Sequence, residues 1–550
     1  MDNLNFQYIP GFSGFNFGQN QSSMEPSHMV YGSSNFNLRV DSIQTRGGTE
    51  VLLQLPTISS IVGIFAVNDI NNVSFIVSVL DTGEIYAQTT EICESLGTIE
   101  NCTFLEWNQN LIINVNSHIP QVWDKVSNLT YDYPIAYLAP DWILDSIYPV
   151  VMTKYGKGNS LRAWAIGRDK RKNVLYFSAS NDGLQDVPDF NGTGSGFLYI
   201  SLRSDESLVG MIPFGDQLIL FSETQAFIID DSPIDIADWG YAEAQWKGGA
   251  LNNQSIVAVE NDIFVLAPDG TIYSITAVME YGDYKIASIT NPASIDIFLQ
   301  SQINIKNDTN INAIFDPSLR AVKFFVPSIF SSQNDTALVY FIDKLPQTGW
   351  SIHNNTLYPS GYNALCSTLL RTENNTLVVI TGSNNGKVWI LETETLDDNN
   401  NYFPITIKTP FISGGEVRTT KRWKNGFIEL ISRYISDISL SVRIKSRSGS
   451  YGTAKVSYYL EGARFDKSKW NNSKFASENV RQVLRYQLNT IGTAIQQIFD
   501  FSSYYLYEGA RFDKAKWDKS KFAKERKKLY KFNITNNILD VVPIAQRLKI

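Results

Sequence analysis

The chain has 550 residues, 43% of them hydrophobic and 19% charged, which is enough for several cores. No apolar run approaches the ~18 residues that a membrane-spanning helix needs. The net charge of −8 is unevenly divided: residues 401–550 hold 28 Lys and Arg against 12 Asp and Glu, whereas residues 1–400 hold 19 against 43.

The opening stretch MDNLNFQYIPGF has neither the basic region nor the apolar region of a signal peptide. The expectation is a chain made and kept in a cytosol until it is assembled or released. Residues 1–54 are rich in Gly, Asn, Ser and Phe and would not form a core by themselves, so they read as an extended arm with a lead-in strand.

From residue 55 to about residue 400, helical periodicity is almost absent. Short apolar runs alternate with Asn, Asp, Gly and Ser clusters, the pattern of an all-β protein. Residues 73–89 read as two strands around Asp81-Thr82-Gly83. Residues 255–275 read as three strands around Glu260-Asn261-Asp262 and Pro268-Asp269-Gly270, and residues 377–391 as two around Asn384-Asn385-Gly386. A glycine in such a turn supplies the positive φ of a tight hairpin. Further runs at 103–115, 161–180, 197–229, 311–328 and 336–354 bring the total to six to eight successive strand groups. A β-propeller buries that many consecutive meanders without long open edges. Stacked β-sandwiches are the alternative, since the groups show no strict internal repeat.

A second boundary falls near residue 400, where the charge changes sign. Residues 401–550 read as a basic β domain, a sandwich or an elaborated sheet, which carries a duplicated phrase. EGARFDKSKWNNSKFA at 461–476 returns as EGARFDKAKWDKSKFA at 508–523, changed only at Ser468 to Ala515, Asn471 to Asp518 and Asn472 to Lys519. Phe465, Trp470 and Phe475 keep the five-residue spacing of Phe512, Trp517 and Phe522, while Arg464 and Arg511 offer planar guanidinium forks. These eight residues are the candidate interface set, because Trp, Phe and Arg are the types that anchor interfaces. The other reading is a loop folded back on its own domain, each Trp covering a sheet.

The wording of this phrase resembles the C-terminal region of the tail nozzle or tail hub proteins of short-tailed phages, the packaged-DNA stabilisation family. Seven earlier stretches continue the resemblance in order: NFNLRVDSIQTRGGTEVL (35–52), TFLEWNQNLIINVNSHIPQVWDK (103–125), NVLYFSASNDGLQDVPDF (173–190), FGDQLILFSETQAFII (214–229), residues 248–275, IFDPSLRAVKFFVPS (314–328) and YFIDKLPQTGWS (340–351). The second copy of the repeat, after residue 504, departs from the family pattern. The resemblance implies a structural virion protein forming an oligomeric ring, a hexamer, below the portal-adaptor of the tail. Such a ring retains the packaged DNA and conducts it during ejection. An acidic lumen would repel the phosphate backbone, and a basic part would dock on an acidic adaptor or neighbour. A host-glycan-binding tail adhesin of the same virion is the alternative, with a propeller hydrolase third.

The sequence points to no catalytic residue, no cofactor and no metal site. His28, His118 and His353 lie far apart, and Cys93, Cys102 and Cys366 lack CxxC spacing and read as reduced core thiols. GTGSG at 192–196 places Ser195 one position late for a nucleophile elbow, and GSNNGK at 382–387 is too short for a P-loop. Both read as turns. SNNGKVW at 383–389 resembles a sialidase Asp-box only faintly, with Asn where the aspartate belongs. The aromatic residues, 13% of the chain, sit mostly within strand patterns, where burial is expected.

Overall fold

The computed structural model describes residues 5–543 apart from 460–479, 503–531 and the short segments 11, 19–20, 22–23, 40–41, 69–73, 117, 157–160, 182–184, 204, 234, 245–247, 279–282, 307–309, 355–362, 394–396, 400, 414–418, 433–436 and 447–450. It is all-β, interrupted by two short α-helices, α1 (Pro140–Asp145) and α2 (Ile295–Gln302), and a few 3₁₀ turns. The chain forms two compact units, one of residues 1–50, 343–360 and 392–550, the other of residues 51–342 and 361–391. This division differs from three consecutive segments at 54 and 400. Residues 1–50 and 392–550 share a unit because backbone hydrogen bonds join them, such as Val30 N–H to Lys408 O and Ser34 N–H to Thr406 O.

In the second unit, five antiparallel sheets of four strands follow one another in chain order. Sheet 1 runs Ile61–Asn68, Ser74–Leu80, Ile85–Ala87, Thr90–Cys93. Sheet 2 runs Cys102–Trp107, Asn110–Val115, Gln121–Asp124, Leu129–Asp132. Sheet 3 runs Met152–Tyr155, Arg162–Ile166, Val174–Phe177, Gly196–Tyr199. Sheet 4 runs Leu208–Phe214, Gln217–Ser222, Ala226–Asp230, Gly240–Glu243. Sheet 5 runs Ile256–Val259, Asp262–Leu266, Ile272–Val278, Asp283–Ser288. Sheet 6 contributes Asn312–Asp316, Ala321–Val326 and Thr336–Phe341. Sheet 7 is Cys366–Arg371, Leu377–Gly382 and Lys387–Thr393, and its outer strand is residues 51–54, from the start of the unit.

The turns follow local chemistry. Gly83, Gly270 and Gly386 have φ of +90°, +82° and +68° at the three hairpins expected from sequence, while Glu260 takes the left-handed conformation (φ +53°) without a glycine. Each sheet meets the next through its first strand, from sheet 1 to sheet 7, and the first strand of sheet 7 adjoins that of sheet 1.

The space between successive sheets is filled by side chains that point alternately to the two faces of each strand. Val77, Val79 and Ile85 of sheet 1 pack with Leu111, Ile113 and Trp123 of sheet 2. Trp164 and Phe177 of sheet 3 pack with Leu218, Leu220 and Phe227 of sheet 4. Between sheets 7 and 1, Leu55, Ile61, Ile76 and Tyr86 pack with Cys366, Ile380 and Val388.

The first unit is built on two sheets. Phe36–Leu38, Ile43–Thr45, Phe532–Pro543, Lys421–Ser432 and Val480–Gly492 lie side by side, with Asn5–Pro10 also on Phe532–Pro543. The other sheet is Ile405–Lys408, Ile495–Ser502, Asp437–Ser446 and Tyr451–Tyr459. Tyr486 of the first sheet meets Phe499 of the second edge to face, with ring centroids 5.9 Å apart. Gly426 sits opposite Tyr486 in register, and a Cβ there would lie 2.2 Å from the tyrosine ring, so only glycine lets the ring cross the strand.

Residues 12–45 are not a free arm. Phe12, Phe15, Met29, Val30 and Phe36 are buried, and Phe12 lies edge to face on Phe499. Glycine-rich, Phe-punctuated sequence is too sparse in apolar residues to make its own core, but it can complete another. Both copies of the duplicated phrase fall in the chain between a strand of the second sheet and a strand of the first, after Tyr451–Tyr459 and after Ile495–Ser502.

Because residues 51–55 complete sheet 7, Leu55 is as much a core residue as any in the meanders. Leu55→Ala should lower the stability of this unit by about 2–5 kcal/mol, read from its urea unfolding midpoint. An unchanged midpoint would show that the segment is dispensable.

Candidate interaction surfaces

Arg46, which follows the strand Ile43–Thr45, is a buried and multiply bonded charged group of the first unit. Its guanidinium grips the Asp398 carboxylate with two parallel bonds, Nη2 to Oδ2 at 2.6 Å and Nη1 to Oδ1 at 3.0 Å. Nη1 also donates to Gly47 O at 2.8 Å and Nε to Asn35 Oδ1 at 3.0 Å, while Thr49 Oγ1 donates to Asp398 Oδ1 at 3.0 Å. The Phe403 ring lies 3.5 Å from the guanidinium carbon. Both charges are almost fully buried, 5% and 3% exposed. With four donor bonds directed at Asn35, Gly47 and Asp398, the arrangement ties the N-terminal segment to Asp398 and Phe403. Truncating one partner of a buried pair strands the other charge. Arg46→Met should therefore destabilise the unit by about 3–5 kcal/mol, and Arg46→Met with Asp398→Leu should recover most of that loss in thermal unfolding.

The second unit holds a comparable pair, Lys323 Nζ to Asp316 Oδ2 at 2.9 Å, with Asp316 Oδ1 accepting from Ser318 N–H and Oγ. It staples the hairpin of sheet 6 from inside.

The titratable residues singled out in the sequence do not converge. His28 is buried, and that burial lowers its pKa. His118 is exposed. His353 is buried between Phe36 O (3.1 Å from Nε2) and the Glu392 carboxylate (3.8 Å from Nδ1). Among the described residues no three His, Cys, Asp or Glu side chains are placed to hold a metal ion. Ser195 donates to Gly192 O in a turn, and residues 383–386 are a hairpin turn in which Ser383 Oγ donates to Asn385 Oδ1. All three cysteines are unpaired thiols. Burial pushes the Cys366 thiol up to about 12 and the Cys102 thiol well above its ordinary value. A thiolate is the reactive form; burial also raises the Cys93 thiol, but Cys93 is only half-buried and so should be the only one of the three modified by a thiol reagent at pH 8 in the native state. Cys102 and Cys366 should react only on unfolding, with the stoichiometry read by absorbance.

The eight interface residues Arg464, Phe465, Trp470, Phe475, Arg511, Phe512, Trp517 and Phe522 lie outside the described residues. Elsewhere burial claims most large aromatics: Trp107, Trp123, Trp164, Trp350, Trp389 and Trp423 are fully enclosed. The exceptions were not visible from strand patterning. On the outer strand of sheet 3, Phe197 and Tyr199 are exposed and meet edge to face at 5.1 Å, and Phe197 also lies 6.1 Å from Tyr176. The Tyr176 hydroxyl donates to Asp141 Oδ2 of α1 at 3.3 Å, and Arg171 lies 3.4 Å from Asp141 and 3.5 Å from Asp145. Burial, reinforced by Asp141, holds the Tyr176 hydroxyl protonated. This rim presents two aromatic faces beside a carboxylate–guanidinium cluster. A second exception is Phe330, almost wholly in solvent in the loop after Ala321–Val326.

No family model and no curated protein matches the sequence. Among solved structures, one of YCF48 bound to D1 peptide aligns with 64% of this chain and 98% of its own, at 9% identity and a TM-score of 0.36.

Proposed function

We propose that residues 51–342 and 361–391 form a seven-bladed β-propeller and that the chain is a structural protein of a phage tail. In this reading it is a nozzle or hub subunit of a short-tailed phage, assembling into a ring of six copies below the portal-adaptor. There it retains the packaged DNA and then conducts it during ejection. It is made in the cytoplasm of the host bacterium and incorporated in the virion tail. The blade reading is supported by the order of first-strand contacts, which runs through seven sheets and returns to the first. The observation that carries the functional reading is the division of charge between the units. Residues 51–342 and 361–391 hold 16 Lys and Arg against 34 Asp and Glu, while the other unit holds 31 against 21. An acidic wall lets DNA slide without counterion-releasing contacts, and a basic unit suits docking on acidic neighbours. The ordered resemblance of seven stretches to the nozzle and hub family supports the same reading.

A second reading, a host-glycan-binding adhesin of the same tail, is favoured by the exposed Phe197 and Tyr199 beside Asp141 and Arg171. Aromatic faces with adjacent hydrogen-bonding charges are what a sugar ring stacks upon.

Electron microscopy of the particle carrying an affinity-labelled copy of this chain tests the first reading. A ring on the tail axis is expected, and label confined to peripheral fibres would overturn it. Docking on the adaptor should also weaken as salt is raised to about 1 M, where the screening length falls to ~3 Å. For the adhesin reading, Tyr199→Ala should abolish binding on a host-polysaccharide array while ring formation is unchanged.

A further inference from the structure

Arg162 opens the second strand of sheet 3 and is a guanidinium removed from water with no carboxylate in contact. It is 9% exposed, and among the described residues it forms no ion pair. Nη1 donates to Ser178 O at 2.6 Å and to Gly194 O at 2.7 Å, so the glycine-rich turn at 192–196 anchors one end of the group. The opposite edge is unpaired: Nε is buried without a hydrogen-bond partner, and Nη2 bonds no described residue. That is the edge with which an arginine takes an oxygen acceptor side-on. Other arginines of this chain use it in that way. Arg443 holds Asp500 through Nε at 2.8 Å and Nη2 at 3.2 Å, and Arg39 holds Gln44 Oε1 at 3.0 and 2.7 Å.

The surroundings of Arg162 are aromatic. Its guanidinium carbon lies 5.1 Å from the centroid of the Trp239 ring and 5.9 Å from that of Phe177, and Trp164 stacks on Trp239 at 5.8 Å. Cation–π contact offsets part of the desolvation cost, but a buried charge is ordinarily matched by a counter-charge. Asp231 acts on Arg162 from beyond contact distance and lies instead 3.5 Å from the Tyr155 hydroxyl. Burial pushes the Asp231 carboxyl up, the mark of a carboxylate without a close cation. A methyl-sized group has room beside the guanidinium: a Cβ on Gly194 would lie 3.7 Å from Ile236 Cδ1, 3.9 Å from Nη2 and 4.0 Å from Nη1.

We propose that the Nε–Nη2 edge of Arg162 binds the carboxylate of a small organic acid whose carbon skeleton lies against the Trp239 ring. The planar fork matches a carboxylate with two parallel bonds. Apolar walls favour a monoanion over a phosphate dianion, since the cost of desolvating an ion rises steeply with its charge. The site is separate from the exposed pair Phe197 and Tyr199. Phe177 lies opposite Gly196 in register and shares its face, so the next residue, Phe197, projects from the other face of sheet 3. Binding there requires neither the ring nor the glycan reading.

Three probes of one shape, benzoate, phenylphosphonate and benzamide, test it by saturation-transfer NMR on the full chain at pH 8 and constant ionic strength. Benzoate should bind with a dissociation constant of roughly 1–10 mM, more tightly than the other two. Arg162→Lys keeps the charge but loses the fork, and should weaken benzoate about tenfold. Asp231→Asn removes a like charge and should tighten it. Benzamide binding as well as benzoate would reduce the site to ring stacking, and tighter phenylphosphonate would make it a phosphate site; either overturns the proposal. So does unchanged affinity in Arg162→Lys. If that variant does not fold, crystals of the wild-type chain with 4-bromobenzoate decide. An anomalous bromine peak beside Arg162 and Trp239 is expected, and bromine only elsewhere, or nowhere, overturns the site.

Discussion

The acidic unit depends on one hydrogen-bonded seam, where residues 51–55 lie against the third strand of sheet 7 and Leu55 N–H donates to Gly386 O. Six sheets are meanders whose strands pair with their neighbours in sequence and cost little loop entropy. The seventh borrows its outer strand from the other end of the unit. An unpaired edge there would expose a row of backbone donors and acceptors, and the apolar space between sheets 7 and 1 would open to water. The seam closes both at once. Ile61 N–H bonding to Ser383 O and the Cys366 thiol donating to Ile61 O continue it along the first strand of sheet 1.

The price of long-range closure recurs in the basic unit. Its N-terminal residues reach strands some 350 positions away, and Arg46 with Asp398 fixes that pairing. A buried ion pair is weak evidence for stability, since apolar residues of equal volume often hold a fold as well. What the pair does supply is register: the bidentate fork accepts a carboxylate in one orientation only. Five directed bonds and the Phe403 face leave few alternative positions for residues 46–49 against residue 398.

Against these closed interiors, some exposed aromatics are placed on stiff supports. Phe197 and Tyr199 ride on the outer strand of a sheet, and Phe330 on a loop tied to a helix end and to two other loops. The glycine-rich stretches read from sequence as turns are closed by local hydrogen bonds, Ser195 to Gly192 O and Ser383 to Asn385.

The sequence by itself determined what is local. Period-two apolar runs and the turns at Asp81-Thr82-Gly83, Pro268-Asp269-Gly270 and Asn384-Asn385-Gly386 announce hairpins, because a turn's backbone angles are set by the residues in it. The division of charge was equally legible, since it is a count. The tertiary structure alone decided what joins distant segments. Nothing local distinguishes residues 51–55 as the last strand of sheet 7, residues 12–38 as part of a core completed by Phe499 and Lys408, or Arg46 as the partner of Asp398. Nor could strand patterning separate Phe330, which stands in water, from Phe324 and Phe325, which are enclosed a few residues earlier. Burial depends on which surfaces the whole chain brings to a residue, and no window of neighbouring residues contains that information.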